Sequence, residues 1–390
     1  MTARVQIPSF DTPLVMSWLL LLGFGVVMVT SASIAMGDRY FTRHAIYVVF
    51  GLATFGMALT IPLKLWQSSY RLAWLAAVVV CVLVLIPGIG HEVNGARRWI
   101  DLGPATFQAS EAARFLFVIY MAGYLARFHD QLRDDPLILL RPLLAVAVIG
   151  VLLLREPDFG SVVVLGASAC GLLFLAGARL RHFLLAGALS AGVLLVILFW
   201  EPYRVQRMFS FTDPWATAFG SGYQLTQALI AFGRGEVFGL GLGEGIQKLF
   251  YLPEAHNDFI FAVIAEELGL VGALLLMGTL AFLVVRILRI GRRAIVLHQP
   301  FAGYLCYGVA LIVGLQCLIN LGVNSGVLPT KGLTLPFVSY GGNSLIVCCA
   351  MLGVVCRAQL ELSEVRAPAA FHVRKALAVF RVSRKKSRRR

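Results

Sequence analysis

Charge is what this chain has least of. Only 14% of its 390 residues are Asp, Glu, Lys or Arg, while 59% are hydrophobic. Soluble domains carry roughly 25% charged residues, so a water-soluble globule is excluded and a polytopic membrane protein is indicated. Cysteine brings no chemistry. The seven thiols (Cys81, Cys170, Cys306, Cys317, Cys348, Cys349, Cys356) lie in or beside apolar runs, with no C-x-x-C or Cys/His spacing. They read as small packing residues rather than a disulfide framework or a zinc site. No run alternates in polarity as lipid-facing strands do, which excludes a β-barrel. No internal repeat is evident, so an inverted-repeat transporter lacks its best signature. The glycine-rich run Gly239–Gly245 has no strand before it and no Walker Lys-Ser/Thr after it, so it is a weak phosphate-loop signal.

What is there is a series of about ten apolar segments, each near the roughly 20 residues a helical span needs. They fall at 14–36, 45–61, 72–89, 112–126, 137–154, 160–177, 182–200, 259–285, 302–323 and 333–356. The expected fold is all-α, with a short segment 1–13 before the membrane domain 14–356 and a basic tail 357–390 after it. Ser31-Ala32-Ser33 resembles a signal-peptide cleavage site, but the apolar core before it is longer than the roughly 7–15 residues of such peptides, so a retained span is expected. Most Lys and Arg fall on one side: Arg4, Lys64, Arg71, Arg127, Arg133, Arg141, Arg179, Arg181, Arg286, Arg289, Arg292, Arg293 and the tail. The positive-inside rule puts both termini in the cytoplasm. The ending SRKKSRRR suits a disordered arm drawn to anionic lipid, and this distribution of the +14 net charge does not suit nucleic acid. Two outer loops are long, 90–111 and above all 201–258. The second carries Trp215, Tyr223, Phe232, Phe238 and Tyr251, which suggests a structured loop ordered by its aromatics.

The polar groups inside or beside the spans carry the functional information. Glu111 and Arg114, at i and i+3, share a helix face and either lock helices together or form the charged wall of a cavity. Pro157 breaks the chain between Glu156 and Asp158, which presents Asp158 at the outer interface or simply makes a turn. Arg97 and Arg98 lie on an outer loop and suit a phosphorylated partner, or solvent. Lys331 precedes the turn Ser339–Ser344, where Gly341 and Gly342 favour a close backbone approach. The densest cluster is Glu254, His256 and Asp258, immediately before an apolar run that carries Glu266 and Glu267. Asp258 is either a helix cap or a base; Asn257 is available as the cap instead. Glu266 and Glu267 point about 100° apart, so they are expected to be structural.

The stretches LPEAHNDFIFAVIAEELGLVG, FGSGYQLTQALIAFGRGEVFGLGLGEGIQKLFY, VMVTSAS, NGARRWIDLGP, EPDFGSVVV and NSGVLPTKGLTLPFVSYGGNSL together resemble the SEDS family of bacterial peptidoglycan polymerases, from about residue 14 to 357. PEAH before the aspartate and PTKGLTLP before SYGG are closer to the division member than to the elongation member. The resemblance implies a ten-helix inner-membrane glycosyltransferase that polymerises lipid II into β-1,4-linked glycan at the outer face, during septal wall synthesis. It puts the essential aspartate on Asp258 and further site residues on Glu111, Arg114 and Asp158. With them, the substrate-binding set is Arg97, Arg98, His256, Lys331, Ser339, Gly341 and Gly342. Two departures stand out. The family's Pro-Ser-Glu-Leu-Ala-Lys reads Ala109-Ser110-Glu111-Ala112-Ala113-Arg114, and its DPWADPFG reads Asp213 to Gly220 with Thr217 and Ala218. A general base is needed for the attacking hydroxyl. Positive charge for the leaving pyrophosphate comes from arginine or lysine, or from a divalent cation (Mg or Mn) held by acids such as Glu111 and Asp158. The partners implied are lipid II, a class B penicillin-binding transpeptidase and other division-complex membrane proteins. A lipid II flippase and a division scaffold are the alternatives; the gathering of polar clusters on the outer side favours the enzyme.

Overall fold

The computed structural model describes residues 10–387, apart from 38, 94, 102, 104–105, 133–135, most of 180–210 and 330–331, with side chains as far as Glu364. Among the described residues there are eleven α-helices and one small sheet. The helices are α1 (Thr12–Ala32), α2 (Arg39–Thr60), α3 (Leu63–Ser68), α4 (Tyr70–Leu85), α5 (Ala109–Arg127), α6 (Pro136–Arg155), α7 (Phe159–Leu175), α8 (Tyr223–Gly235), α9 (Ile260–Val296), α10 (Pro300–Asn324) and α11 (Gly342–Ser387). Six of the helices are long and apolar enough to cross a membrane, and α4 and α7 are shorter apolar helices. Every expected apolar segment falls on a helix for most of its length except 182–200, most of which lies outside the described residues.

Local chemistry sets the helix ends. Asp11 caps α1 by accepting from the Leu14 N–H at 3.1 Å, with Pro13 in the first turn. Asp158 caps α7, its carboxylate accepting from the Ser161 N–H and hydroxyl at 3.1 and 2.7 Å. Inside α6, Pro142 has no N–H for the Ile138 carbonyl, and the Tyr124 hydroxyl donates to it instead at 2.9 Å. Small residues bring the helices together, as membrane packing requires. A Cβ on Gly353 of α11 would sit 2.5 Å from the Phe55 carbonyl of α2, so only glycine lets these two helices meet. At the centre lies α10, packed against α5, α7, α9 and α11.

Four features differ from the sequence expectation. The long loop after α4 folds into an antiparallel sheet, β1 (Gly90–Val93), β2 (Ala96–Asp101) and β3 (Thr106–Gln108), with β2 in the middle and a register shift at His91/Glu92. The segment expected to begin a span at 333 becomes helical only at Gly342, because Pro336 and the positive φ of Phe337 (66°) hold 333–341 in a turn. Past residue 364 the backbone of α11 stays helical to Ser387 rather than passing into a disordered arm, in keeping with a stretch rich in Ala, Leu, Arg and Lys. Finally, α9 is two helices: Gly269 (φ 66°, ψ −165°) breaks it nine residues after its start at Ile260.

That break explains the glycine-rich run. Residues 236–241 lie along 266–271, with Leu240 and Gly241 donating to the Glu266 and Glu267 carbonyls and Leu270 and Val271 to those of Glu236 and Val237, all at 3.0–3.1 Å. Gly239 (φ 81°) and Gly269 face each other so closely that a Cβ on either would collide with the opposite backbone. These glycines are spaced for a backbone, not for a phosphate. The two buried carboxylates complete the joint. Glu266 accepts from the Ile246 and Gln247 N–H groups, both at 3.1 Å, and pairs with Arg234 at 3.3 Å. Glu267 accepts from the Ser31 hydroxyl (2.7 Å) and the Gly243 N–H (3.1 Å), and pairs with Lys248 at 2.6 Å. The aromatics expected to order this loop mostly face outward: Trp215, Phe238 and Tyr251 are exposed, while Phe232 packs edge-on against Phe261. Carboxylates meeting backbone N–H groups hold the loop instead.

Candidate active site at one end of the bundle

The polar residues singled out in the sequence gather at one end of the bundle, where α1, α4, α6 and α10 end and α2, α5, α7 and α11 begin. Asp258 lies in the turn before α9, half-buried. Its main-chain carbonyl accepts from the Asn320 and Asn324 side-chain amides of α10 at 2.8 and 2.9 Å. Asn320 also donates to the Leu333 carbonyl at 2.6 Å, tying the aspartate's turn to the segment before α11. Across from Asp258 stands Gly332, where a Cβ would lie 2.9 Å from the aspartate Oδ2. The carboxylate occupies room that any side chain at 332 would take.

Asn257 does not cap the helix. The first-turn N–H of Ala262 donates to Asn324 Oδ1 at 3.2 Å, so the cap comes from α10, while Asn257 turns to Glu254 at 3.3 Å. His256 is buried, ringed by Tyr40 (centroids 4.7 Å) and Tyr340 (5.3 Å), and its carbonyl accepts the Tyr340 N–H at 3.0 Å. Burial holds its pKa below the usual histidine range, against the opposing pull of Glu254. The imidazole is therefore neutral at pH 7, and its Nδ1 is buried without a hydrogen-bond partner among the described residues.

Arg114 is 1% exposed and Glu111 4%, and the two pair directly. Arg114 also donates to Gln316 Oε1 at 2.9 Å; Gln316 in turn donates to the Thr334 carbonyl (3.0 Å) and the Ser344 hydroxyl (3.3 Å). As placed, the pair knits α5 to α10 and, through Gln316, to Thr334 and the start of α11. Asp158 is spent on its capping bonds. Arg98 donates from Nε to the Glu156 carbonyl (3.0 Å) and from its amino group to the Pro157 carbonyl (2.6 Å), fastening the sheet to the α6–α7 break. Glu156 is fully buried, and burial first, then the Asp158 carboxylate, push its pKa up to about 8. Arg97 turns away to the rim, paired with Glu92 at 3.2 Å. Ser339 accepts from the Leu335 N–H at 2.7 Å. Gly341 and Gly342 meet Thr334 and the Tyr47 ring so closely that a Cβ would press on both. Lys331 lies outside the described residues. Among the described residues no three His, Cys, Asp or Glu side chains converge to hold a metal ion, and Glu111 and Asp158, engaged with Arg114 and Ser161, do not fit as a ligand pair.

The structure adds two groups. At the α1–α2 turn a cavity of about 340 Å³ is lined by Met36, Gly37, Arg39, Tyr40 and Arg43. Tyr40 is the ring that packs on His256, and Arg43 lies near the Tyr340 side chain, whose ring also packs on His256, so this basic cavity adjoins the Asp258 turn. The second group is Gln316, Asn320 and Asn324, a buried amide stripe on α10. Both were readable as spacing: Arg39/Arg43 at i, i+4, and amides at i, i+4, i+8 on one face of an otherwise apolar helix.

The family described as "Cell cycle protein", which groups FtsW, RodA and SpoVE, matches residues 12–364. A probable peptidoglycan glycosyltransferase FtsW from Coxiella burnetii is 50% identical over 360 residues, covering 90% of this chain and 97% of that one. Its namesake from Halomonas elongata is 48% identical over 365 residues, covering 91% and 92%. Among solved structures, a chain from a peptidoglycan synthase complex that coordinates polymerization and crosslinking superposes with TM-score 0.75 at 27% identity, over 91% of this chain and 98% of that chain. The rod shape determining protein RodA of Thermus thermophilus superposes with TM-score 0.67 at 26% identity, over 90% and 97%.

Proposed function

The chain belongs to the FtsW/RodA/SpoVE family of cell cycle proteins, and on that premise we propose that it is a peptidoglycan glycosyltransferase that polymerises lipid II at the outer face of the bacterial inner membrane, at the septum. The observation that carries the reading is the setting of Asp258, held by its main chain on two buried amides at the open end of the bundle.

Asp258 is the general base. Its carboxylate takes the proton of the 4-hydroxyl of an incoming GlcNAc as that oxygen attacks C1 of the growing strand's MurNAc. The new C1–O bond forms as the bond from C1 to the lipid pyrophosphate breaks, and a single displacement turns an α-linked sugar into a β-1,4 linkage. The leaving pyrophosphate carries the bonding electrons and needs positive charge beside it. Arg39 and Arg43 supply it at the cavity next to the aspartate's turn, with Arg98 and Lys331 as further candidates. Neutral His256 fixes the wall between that cavity and Asp258 rather than neutralising phosphate. Glu111 and Asp158, engaged with Arg114 and Ser161, are not placed to hold a divalent cation such as Mg or Mn, and no step is assigned to one. The polyprenyl tail lies among the helices while the sugars stay outside, and the strands are crosslinked by a partner transpeptidase.

The test is polymerisation of lipid II by purified protein with and without its transpeptidase. Asp258→Asn keeps the size and hydrogen bonding of the side chain but not its basicity. Polymer is expected to fall by a factor of about 10²–10⁴, as for loss of a general base, with thermal unfolding unchanged. Polymerisation at near the parental rate overturns the assignment.

A further inference from the structure

At the opposite, basic end of the bundle, a groove of about 600 Å³ opens toward lipid between α4, α5 and α6. Its mouth carries Arg71 and Arg141, both exposed; its floor is Trp74 and Tyr120; its deeper wall includes Leu144 and Val148, 57% and 43% exposed. We propose that this groove is a binding site for one anionic phospholipid of the cytoplasmic leaflet, with phosphate on the two arginines and an acyl chain along α6.

The layout matches the ligand from end to end. No carboxylate of a described residue pairs with Arg71 or Arg141. Arg71 donates from Nε to the Tyr70 hydroxyl at 3.0 Å and lies over that ring at 5.6 Å, which fixes its guanidinium at the mouth. A guanidinium fork suits phosphate oxygens, and basic sites between helices on the cytoplasmic side suit anionic headgroups. From Arg141 to Val148 the helix rises about 10 Å, so charge at the mouth passes directly into apolar wall. Trp74 and Tyr120 sit between the two, where amphipathic rings belong at a membrane interface. The groove is built in advance. Trp74 Nε1 donates to the Ala145 carbonyl at 3.2 Å, tying α4 to α6, and Tyr124 ties α5 to α6 at the Ile138 carbonyl one turn before Pro142.

Charge favours an anionic occupant over a zwitterionic one, and the apolar wall favours a lipid over free phosphate. The full chain, purified in detergent, is tested by native mass spectrometry with phosphatidylglycerol and with phosphatidylcholine of the same chains. One phosphatidylglycerol is expected to be retained in preference. Replacing Arg71→Gln and Arg141→Gln together is expected to weaken its retention about 25-fold, equivalent to about 2 kcal/mol. Leu144→Trp, which fills the wall and leaves the charges, is expected to reduce retention of both lipids. Arg289→Gln with Arg292→Gln, equally basic-end but outside the groove, is expected to change nothing. Equal retention of the two lipids by the parent overturns the proposal; so does an equal loss in the Arg289/Arg292 control, which means diffuse charge, or full retention by Leu144→Trp.

Discussion

Replacing Lys248 by methionine removes the positive half of a buried pair and leaves the shape of the side chain nearly intact. Lys248 is 1% exposed and Glu267 fully buried, with Nζ and Oε1 2.6 Å apart. The lysine also donates to the Ser31 hydroxyl and the Gly243 carbonyl, each at 2.8 Å, so three elements meet on one nitrogen: α1, the glycine loop and the broken helix α9. Removing one partner of such a pair costs about 3–5 kcal/mol, because the other is left buried and uncompensated. Replacing both by Lys248→Met with Glu267→Gln removes the charge as well, so the double variant is expected to recover at least about 2 kcal/mol of the sum of the single losses. Thermal and denaturant unfolding in detergent measure the three variants against the parent. Polymerisation of lipid II by the same samples reports on Asp258, which precedes the short helix that the joint holds. The single variant is expected to lose activity at temperatures where it is still folded. A loss under 1 kcal/mol for Lys248→Met, or strictly additive single losses, refutes the idea that this pair clamps the joint.

Three further outcomes follow from the site. Asn324→Leu removes one of the two donors to the Asp258 carbonyl and the acceptor for the Ala262 N–H together; the orphaned N–H costs about 1–3 kcal/mol, and the displaced turn is expected to lower polymerisation roughly 10²-fold while Asp258 itself is intact. Arg43→Ala takes one charge from the α1–α2 cavity and is expected to raise KM for lipid II about tenfold, from roughly 1.5 kcal/mol for a charged hydrogen bond, whereas Arg97→Ala at the rim leaves steady-state kinetics unchanged. Glu156, pushed up to about 8 by burial and then by Asp158, holds a proton in the folded state that the unfolded chain releases above its ordinary carboxylate pKa. Its favourable contribution is thus complete below that ordinary value and is lost as pH rises through about 8, so unfolding temperatures at pH 6 and pH 9 differ for the parent and converge for Glu156→Gln.

How much of this was legible depended on the kind of interaction. Spans were legible because a run of apolar residues has few alternatives in a membrane, and Asp258 because an acid at the start of such a run is costly. The expectation that Glu266 and Glu267 are structural holds, since both are buried against the loop before them. What the sequence hid was anything that depends on two distant backbones meeting. The cap of α9 comes from Asn324 rather than the adjacent Asn257, since a helix end buried against α10 finds its acceptor across the interface. The break at Gly269 looks like continuous helix because its neighbours are good helix formers; only the opposing Gly239 makes a positive φ worthwhile. The sheet at 90–108 was hidden by its short strands, of which the longest, Ala96–Asp101, shows no alternation of burial for the sequence to display.

The acids at this end of the bundle divide according to what each has been given. Glu111 has Arg114, Asp158 has the first turn of α7, Glu266 has Arg234 and two backbone N–H groups, and Glu267 has Lys248, Ser31 and Gly243. Glu156, lodged where burial dominates, is neutralised instead. Each of these five is nearly or wholly buried, and each fixes backbone that would otherwise be free to move at a membrane surface. Asp258 is gripped by its main chain as well: two amides from α10 hold the carbonyl, and the side chain lies half-buried beside a glycine. A carboxylate whose position is set through its backbone can take up and release a proton without dismantling the structure that positions it. The general base proposed at Asp258 requires that property once for each sugar added.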